Sequence, residues 1–217
     1  MRLLESRVAS LAPMSSHPID AELLSGEALY RRVVLEKMAQ ARESVLIATA
    51  NVKAMLVELR PGQFKPVADL FAQLSKRGVV VRLLHAELPS RPFRDAFDKH
   101  ERLTSGGMGL KICPRVHFKA VLIDGAWLYL GSANLTGAGL GAKHAHGRNF
   151  ELGFVTEDFD TIDRVSALFD AVWSGAECRA CRLHDVCPDP IGPGPAKKRG
   201  RSSKSGIVLG KSKRFGR

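Results

Sequence analysis

The 217-residue chain is 45% apolar, enough to bury one proper core, and its length suggests one domain with appendages. No stretch approaches the roughly 18 uninterrupted apolar residues that span a bilayer, and Met1 to Asp20 lacks the apolar run of a secretion signal, so the sequence predicts a soluble, cytoplasmic protein. The formal charge is +11, but nine positives from Lys197 to Arg217 lie beyond the last acid, Asp189, which leaves only +2 for the preceding chain. With 6% aromatic residues, a base-stacking surface built from many rings is excluded.

In chain order, residues 1–20 read as an N-terminal extension. Tyr30, Val34, Met38 and Ala41 recur at helical spacing after an N-cap at Ser25, which predicts a helix over 26–43. The apolar run Val45 to Ala48 predicts a buried strand, Val67, Leu70, Phe71 and Leu74 mark a helix, and Val79 to Leu84 is a second buried strand. That rhythm belongs to a parallel α/β sheet with helices on both faces. A weaker helix over 92–103 and a short strand from Leu110 to Ile112 follow.

From Val116 to Ile123 the period changes to two, with His117, Lys119, Val121 and Ile123 on one face. Asp124-Gly125 fits a two-residue hairpin turn, because glycine tolerates positive φ. If Ile123 pairs with Ala126, His117 lies opposite Ser132 and Lys119 faces Leu130. The hairpin thus folds Gly131-Ser132-Ala133-Asn134 back beside His117 and Lys119. Gly131, lacking a side chain, would let backbone approach a ligand. A strand from Phe150 to Val155, with Glu151 near its start, continues the sheet. A last helix carries Ile162, Val165, Leu168, Phe169 and Val172 and ends at Gly175. The fold expected is α/β: a mixed, mostly parallel sheet flanked by helices on both faces, over 21–175.

These groups suit phosphodiester chemistry. A catalyst must offset charge on the non-bridging oxygens while presenting a neutral nucleophile to phosphorus. Lys119 brings charge, Ser132 and Asn134 bring donors, and a histidine titrating ordinarily near pH 6.5 can attack as neutral imidazole. Glu151, by accepting the Nδ1 proton of His117, would present Nε2 to phosphorus, giving a phosphohistidine later resolved by water. No metal is required for these steps.

The run His117-Phe118-Lys119, four residues, Asp124, six residues, Gly131-Ser132-Ala133-Asn134 resembles the HxK-x4-D-x6-GSxN signature of the phospholipase D superfamily. Six specified positions agree by chance with a frequency on the order of 10⁻⁸ per starting point. The resemblance implies a phospholipase D-like fold, catalytic His117, Lys119, Asp124, Asn134 and Glu151, and a phosphate cradle of Lys119, Gly131, Ser132 and Asn134. Asp124 is assigned to the turn and to support rather than to bond-making. The leaving alcohol needs a proton, and the family usually carries a second motif copy that donates it. This chain has one copy: His85, His100, His144 and His146 have no lysine two places on. A two-fold homodimer sharing His117 from each chain is therefore expected, with His144 and His146 as rival donors within one chain.

Residues 176–190 form a cysteine-rich segment, Cys178-x2-Cys181-x5-Cys187, with His184 inside it. With Cys113 upstream, these read as metal ligands rather than disulfides in a cytoplasmic chain. The spacing is similar to that of the C-terminal cluster-binding cysteines of RecB-type nucleases, which implies an iron–sulfur cluster; zinc held by the three cysteines and His184 is the alternative. Residues 191–217 form a Gly-, Ser- and Pro-spaced basic tail, expected to be a disordered arm attracted to polyanions. Nucleic acid is the leading substrate, phospholipid the alternative, and a non-catalytic nucleic-acid-binding subunit the second alternative.

Overall fold

The computed structural model describes residues 16–194. The basic run Lys197–Arg217 and most of the N-terminal extension lie outside the described residues. Nine strands are described: β1 (Glu22–Ser25), β2 (Ser44–Thr49), β3 (Leu56–Arg60), β4 (Gln63–Pro66), β5 (Val80–His85), β6 (Gly109–Ile112), β7 (Lys119–Ile123), β8 (Trp127–Gly131) and β9 (Leu152–Thr156). Seven of them build one sheet in the order β1-β9-β8-β7-β2-β5-β6, and β3 and β4 pair as a separate hairpin. The sheet is mixed. Parallel pairing is confined to β2–β5 and β5–β6, whose connections carry helices, while β2–β7, β7–β8, β8–β9 and β1–β9 are antiparallel.

Helices cover both faces, as expected. On one face lie α1 (Glu27–Leu29), which opens into a π-helical stretch Tyr30–Lys37 and a 3₁₀ turn Met38–Gln40, together with α2 (Val67–Lys76) and α3 (Arg91–Phe97). Their apolar residues meet Val45, Ile47, Val121, Ile123 and Tyr129. On the other face α4 (Phe159–Ser174) packs Ile162 and Phe169 on Leu84, Ala120, Leu122 and Leu128. Because β7 is buried along its whole length, its alternating side chains feed both cores. Asp158 caps α4 by accepting from Thr161 N at 2.9 Å, and Gly175, at φ 76°, ends it.

Three expectations are corrected. The sheet is mixed but not mostly parallel: four of its six pairings are antiparallel, because β7 and β8 join by a hairpin rather than by a crossover helix and β9 and β1 add antiparallel beside them. The hairpin turn is present, with Asp124 at φ 53°, Gly125 at φ 64° and Ala126 N donating to Ile123 O at 3.0 Å. The ladder, however, starts at Ile123–Trp127, so Lys119 pairs with Gly131 rather than Leu130. Burial decides this register: it places the Trp127 ring beside Ile123 in the larger core and leaves small Ala126 in solvent. The helix expected over 92–103 stops at Phe97, and a separate π-helical turn covers Leu103–Gly107. The chain bends between them where His100 Nε2 lies 3.5 Å from Asp69 on α2.

Candidate active site

One end of the sheet gathers the chemistry. Antiparallel pairing brings the C-terminal ends of β2 and β8 to the same edge as the N-terminal ends of β7 and β9. Thr49, Lys119, Gly131 and Leu152 mark that edge, and His117, Ser132, Asn134 and Glu151 stand just beyond it. A crevice outside strand ends is where open α/β sheets bind ligands.

His117 precedes β7 and is exposed, so its imidazole can meet an incoming substrate. Lys119 is 8% exposed; its Nζ donates to His117 O at 2.6 Å and lies 3.5 Å from His117 Nδ1. The cation and the imidazole therefore share one small space. A buried ammonium with spare protons is held ready for an anion.

Asn134 is oriented through its oxygen. Oδ1 lies 3.1 Å from Ala50 N, Asn51 N and Thr49 Oγ1, and Thr49 Oγ1 in turn accepts from Leu135 N at 3.1 Å. With Oδ1 committed to donors, the amide fixes Nδ2 as the outward-facing donor. Thr49, 1% exposed, is thus a positioning residue that the motif does not mark. Its place at the C-terminal end of a central strand is the signal that could have revealed it.

Ser132 and Glu151 form a unit of their own. Ser132 Oγ donates to Glu151 Oε2 and accepts from Leu152 N at 3.1 Å, while Asn149 Nδ2 donates to Glu151 Oε1 at 3.1 Å. The serine proton is thereby spent on the carboxylate rather than kept for phosphate. Glu151 is oriented by Ser132 and Asn149, not by a bond to His117 Nδ1. Below them, burial pushes the Tyr129 hydroxyl up to about 12; its oxygen accepts from Ala133 N at 3.3 Å, and the Glu151 charge adds to the rise. Tyr129 is a neutral floor to the site.

Gly131 also has a packing task. A Cβ built there would stand 2.5 Å from Tyr129 Oη, 2.7 Å from Gly153 Cα and 2.7 Å from Leu152 O. The close approach of β8 to β9 by itself requires glycine. Gly131→Ala is expected to lower the stability of the fold by about 1–3 kcal/mol through overpacking, read from the urea midpoint.

Asp124 stands apart. It lies at the opposite end of β7, roughly 16 Å along the strand from Lys119. Its carboxylate accepts from Arg42 N at 3.0 Å, Glu43 N at 2.8 Å and Ser44 N at 2.9 Å, tying the hairpin turn to the start of β2. Partial burial alone would raise its pKa, but the three backbone donors outweigh it and hold the carboxyl below the usual range. His144 and His146, in the 3₁₀ turn region Ala145–Gly147, are exposed.

The cysteine segment also returns to the sheet. After Gly175 it makes two 3₁₀ turns, Cys178–Ala180 and His184–Val186, and Asp189 Oδ2 accepts from Ile112 N at 3.2 Å. Cys113, Cys178, Cys181 and Cys187 are free thiols lining one cavity of about 220 Å³. His184 Nε2 faces Gly192 O at 2.9 Å and its Nδ1 lies 3.7 Å from Asp185.

The sequence profile described as cardiolipin synthase, PLD-like domain, matches residues 34–173. Among solved structures, the fold is similar to Nuc from Salmonella typhimurium, a phospholipase D family member, at a TM-score of 0.50 and 16% identity, covering 71% of this chain and 95% of that one. NucT from Helicobacter pylori aligns at 0.47 and 17%, covering 72% and 96%. The archaeal chromatin protein TrmBL2 aligns at 0.49 and 14%, covering 70% of this chain; the chain spans about half the length of that relative. Among curated proteins, none matches the sequence significantly. The profile match spans most of the chain and contains the whole motif edge of the sheet, so the chain belongs to the family of phospholipase D-like domains.

Proposed function

We propose that the protein is a phosphodiesterase that cleaves nucleic acid through a covalent phosphohistidine. One observation carries the reading: an exposed imidazole, a buried ammonium and an oriented carboxamide converge at one sheet edge. His117 Nε2 attacks phosphorus and the N–P bond forms as the P–O bond to the leaving alcohol breaks. That alkoxide takes a proton from a second imidazolium. Water then attacks phosphorus and gives a proton to the second imidazole, and the N–P bond breaks to restore His117. Lys119 Nζ and Asn134 Nδ2 serve the non-bridging oxygens, where charge accumulates. Glu151 takes the Nδ1 proton of His117 once substrate draws the groups together, since catalytic hydrogen bonds commonly tighten on binding.

The second imidazole belongs to a second copy of the chain. His85 is buried with Nδ1 against Glu87 O at 2.6 Å, and His100 is paired with Asp69, so neither is available. A two-fold homodimer meeting at the site edge answers the need. It is supported by the strands at that side of the sheet: Leu23 and Leu152 lie on the same face as α4 yet are exposed, and neighbouring Phe150 is fully exposed. The same apolar side chains favour the second reading, phospholipid hydrolysis or transfer, because they could seat acyl chains.

The deciding experiment incubates the protein, in EDTA, with end-labelled single- and double-stranded oligonucleotides and with vesicles of phosphatidylcholine or phosphatidylglycerol. Oligonucleotide cleavage is the expected result, because the basic run Lys197–Arg217 would attract a polyanionic strand. Headgroup release alone would replace this substrate with phospholipid. Turnover of neither would end the proposal, and retention of uncut oligonucleotide would then favour a binding subunit.

A further inference from the structure

We infer that Cys113, Cys178, Cys181 and Cys187 are the ligands of an iron–sulfur cluster that pins the C-terminal segment to the loop leading into the active site. The first observation is convergence. Cys113 follows β6, whereas the other three come from the segment after α4, and the fold folds that segment back so that all four thiols line a single cavity. All four are half-buried and free, in a cavity whose wall is mainly apolar, with Phe118, Leu168, Val172 and Ile191, and which Lys111, Arg115, Glu177, His184 and Asp189 also line. An inorganic sulfide cluster with thiolate ligands is at home in such surroundings, because a dry shell limits solvent access to the metal.

The fourth ligand argues for a polynuclear centre over a single zinc ion. Four ligands of one tetrahedral zinc at about 2.3 Å each would hold their sulfur atoms roughly 3.8 Å apart. Among the described residues no group of three or more His, Cys, Asp or Glu side chains is already placed to hold a metal ion, so the thiols must close in on binding. His184, the fourth ligand of the zinc alternative, turns its ring nitrogens to Gly192 O and Asp185. In a cluster each thiolate meets a different iron or shares one with a single neighbour, so the four stand around a wider volume. Four thiols lining one cavity of about 220 Å³ fit that case.

A third observation says what the cluster does. The segment after α4 has only 3₁₀ turns among its described residues and exposes most of its side chains, so its own packing is slight. It is fastened by Ile191 against Gly175 and by Asp189 and Cys187 on Ile112, the latter only a long Sγ–O contact of 4.0 Å. Metal ligation would replace this weak fastening with covalent bonds to Cys113, four residues before His117. The cluster is structural, and the loop it holds carries the nucleophile.

The test is made on full-length protein purified without oxygen and, in parallel, reconstituted with ferrous iron and sulfide. Iron and acid-labile sulfide are expected in equal amounts, about two to four of each per chain, with charge-transfer absorption bleached by dithionite. Cys113→Ser and Cys187→Ser should each lower both contents at least about tenfold, while His184→Ala should keep them. Wild-type protein that holds neither iron nor sulfide by either route overturns the inference, whether or not the cysteine variants fold. So does stoichiometric zinc whose retention needs His184.

Discussion

Replacing His117 with alanine is expected to lower phosphodiester cleavage at least about 10³-fold while leaving the folding stability within about 0.5 kcal/mol of the parent. The size follows from the role: without a nucleophile the covalent route is closed, and Lys119 and Asn134 can then only assist direct attack by water. The silence in stability follows from position, because the side chain is exposed and its nearest polar partner is Lys119 Nζ at 3.5 Å. Mixing gives the same variant a second use. If each site needs one imidazole from each of two chains, a dimer of parent and variant is inactive. After subunit exchange with excess His117→Ala, activity should then follow about the square of the parent fraction. A linear dependence would mean that one chain holds a complete site, and would return His144 and His146 to candidacy. Single-turnover quenching in the parent should also trap an acid-labile adduct that the variant lacks.

Most of the site was legible because the motif is local and the sheet is simple. His117, Lys119 and Asn134 come from one hairpin, and a two-residue turn signal suffices to bring them together whatever the exact register. The register itself was not legible: Asp124-Gly125 marks the turn, but whether Ala126 or Trp127 opens the ladder depends on which core takes the tryptophan ring, a tertiary choice. The packing demand on Gly131 was not legible for a similar reason, since the crowding comes from Leu152 and Gly153 on a strand distant in sequence. The Ser132–Glu151 contact depends on long-range pairing and leaves no local trace, and Thr49 is marked only by its place at the end of a central strand. The hairpin β3–β4 was missed although Pro61-Gly62, with Gly62 at φ 72°, carries the proline–glycine signature of a tight turn; its short strands lack the clean alternation that would have announced them. The π-helical stretch Tyr30–Lys37 keeps the apolar stripe of an ordinary helix, so periodicity could place it but not distinguish its winding.

Replacing Asp124 with alanine is expected to cost about 2–4 kcal/mol of stability, the largest loss of any single change among the motif residues. The carboxylate answers three backbone donors, from Arg42, Glu43 and Ser44, and hydrogen bonds to a charged group are the stronger kind. Alanine would also have to hold φ near 53°, where aspartate and asparagine are tolerated better. Asp124→Asn separates the two effects, since it keeps the backbone preference and one acceptor but loses the charge, and about half the loss is expected. The pH dependence follows from the direction of the shift. The carboxyl is held below its ordinary value in the folded protein, so its contribution is fully present above the unfolded value near pH 4 and fades as pH falls through the lower folded value. The gap in urea midpoint between parent and Asp124→Asn should therefore be constant from about pH 5 to 8 and close below about pH 4. An Asp124→Asn protein as stable as the parent but catalytically dead would move this residue out of the scaffold and into the chemistry.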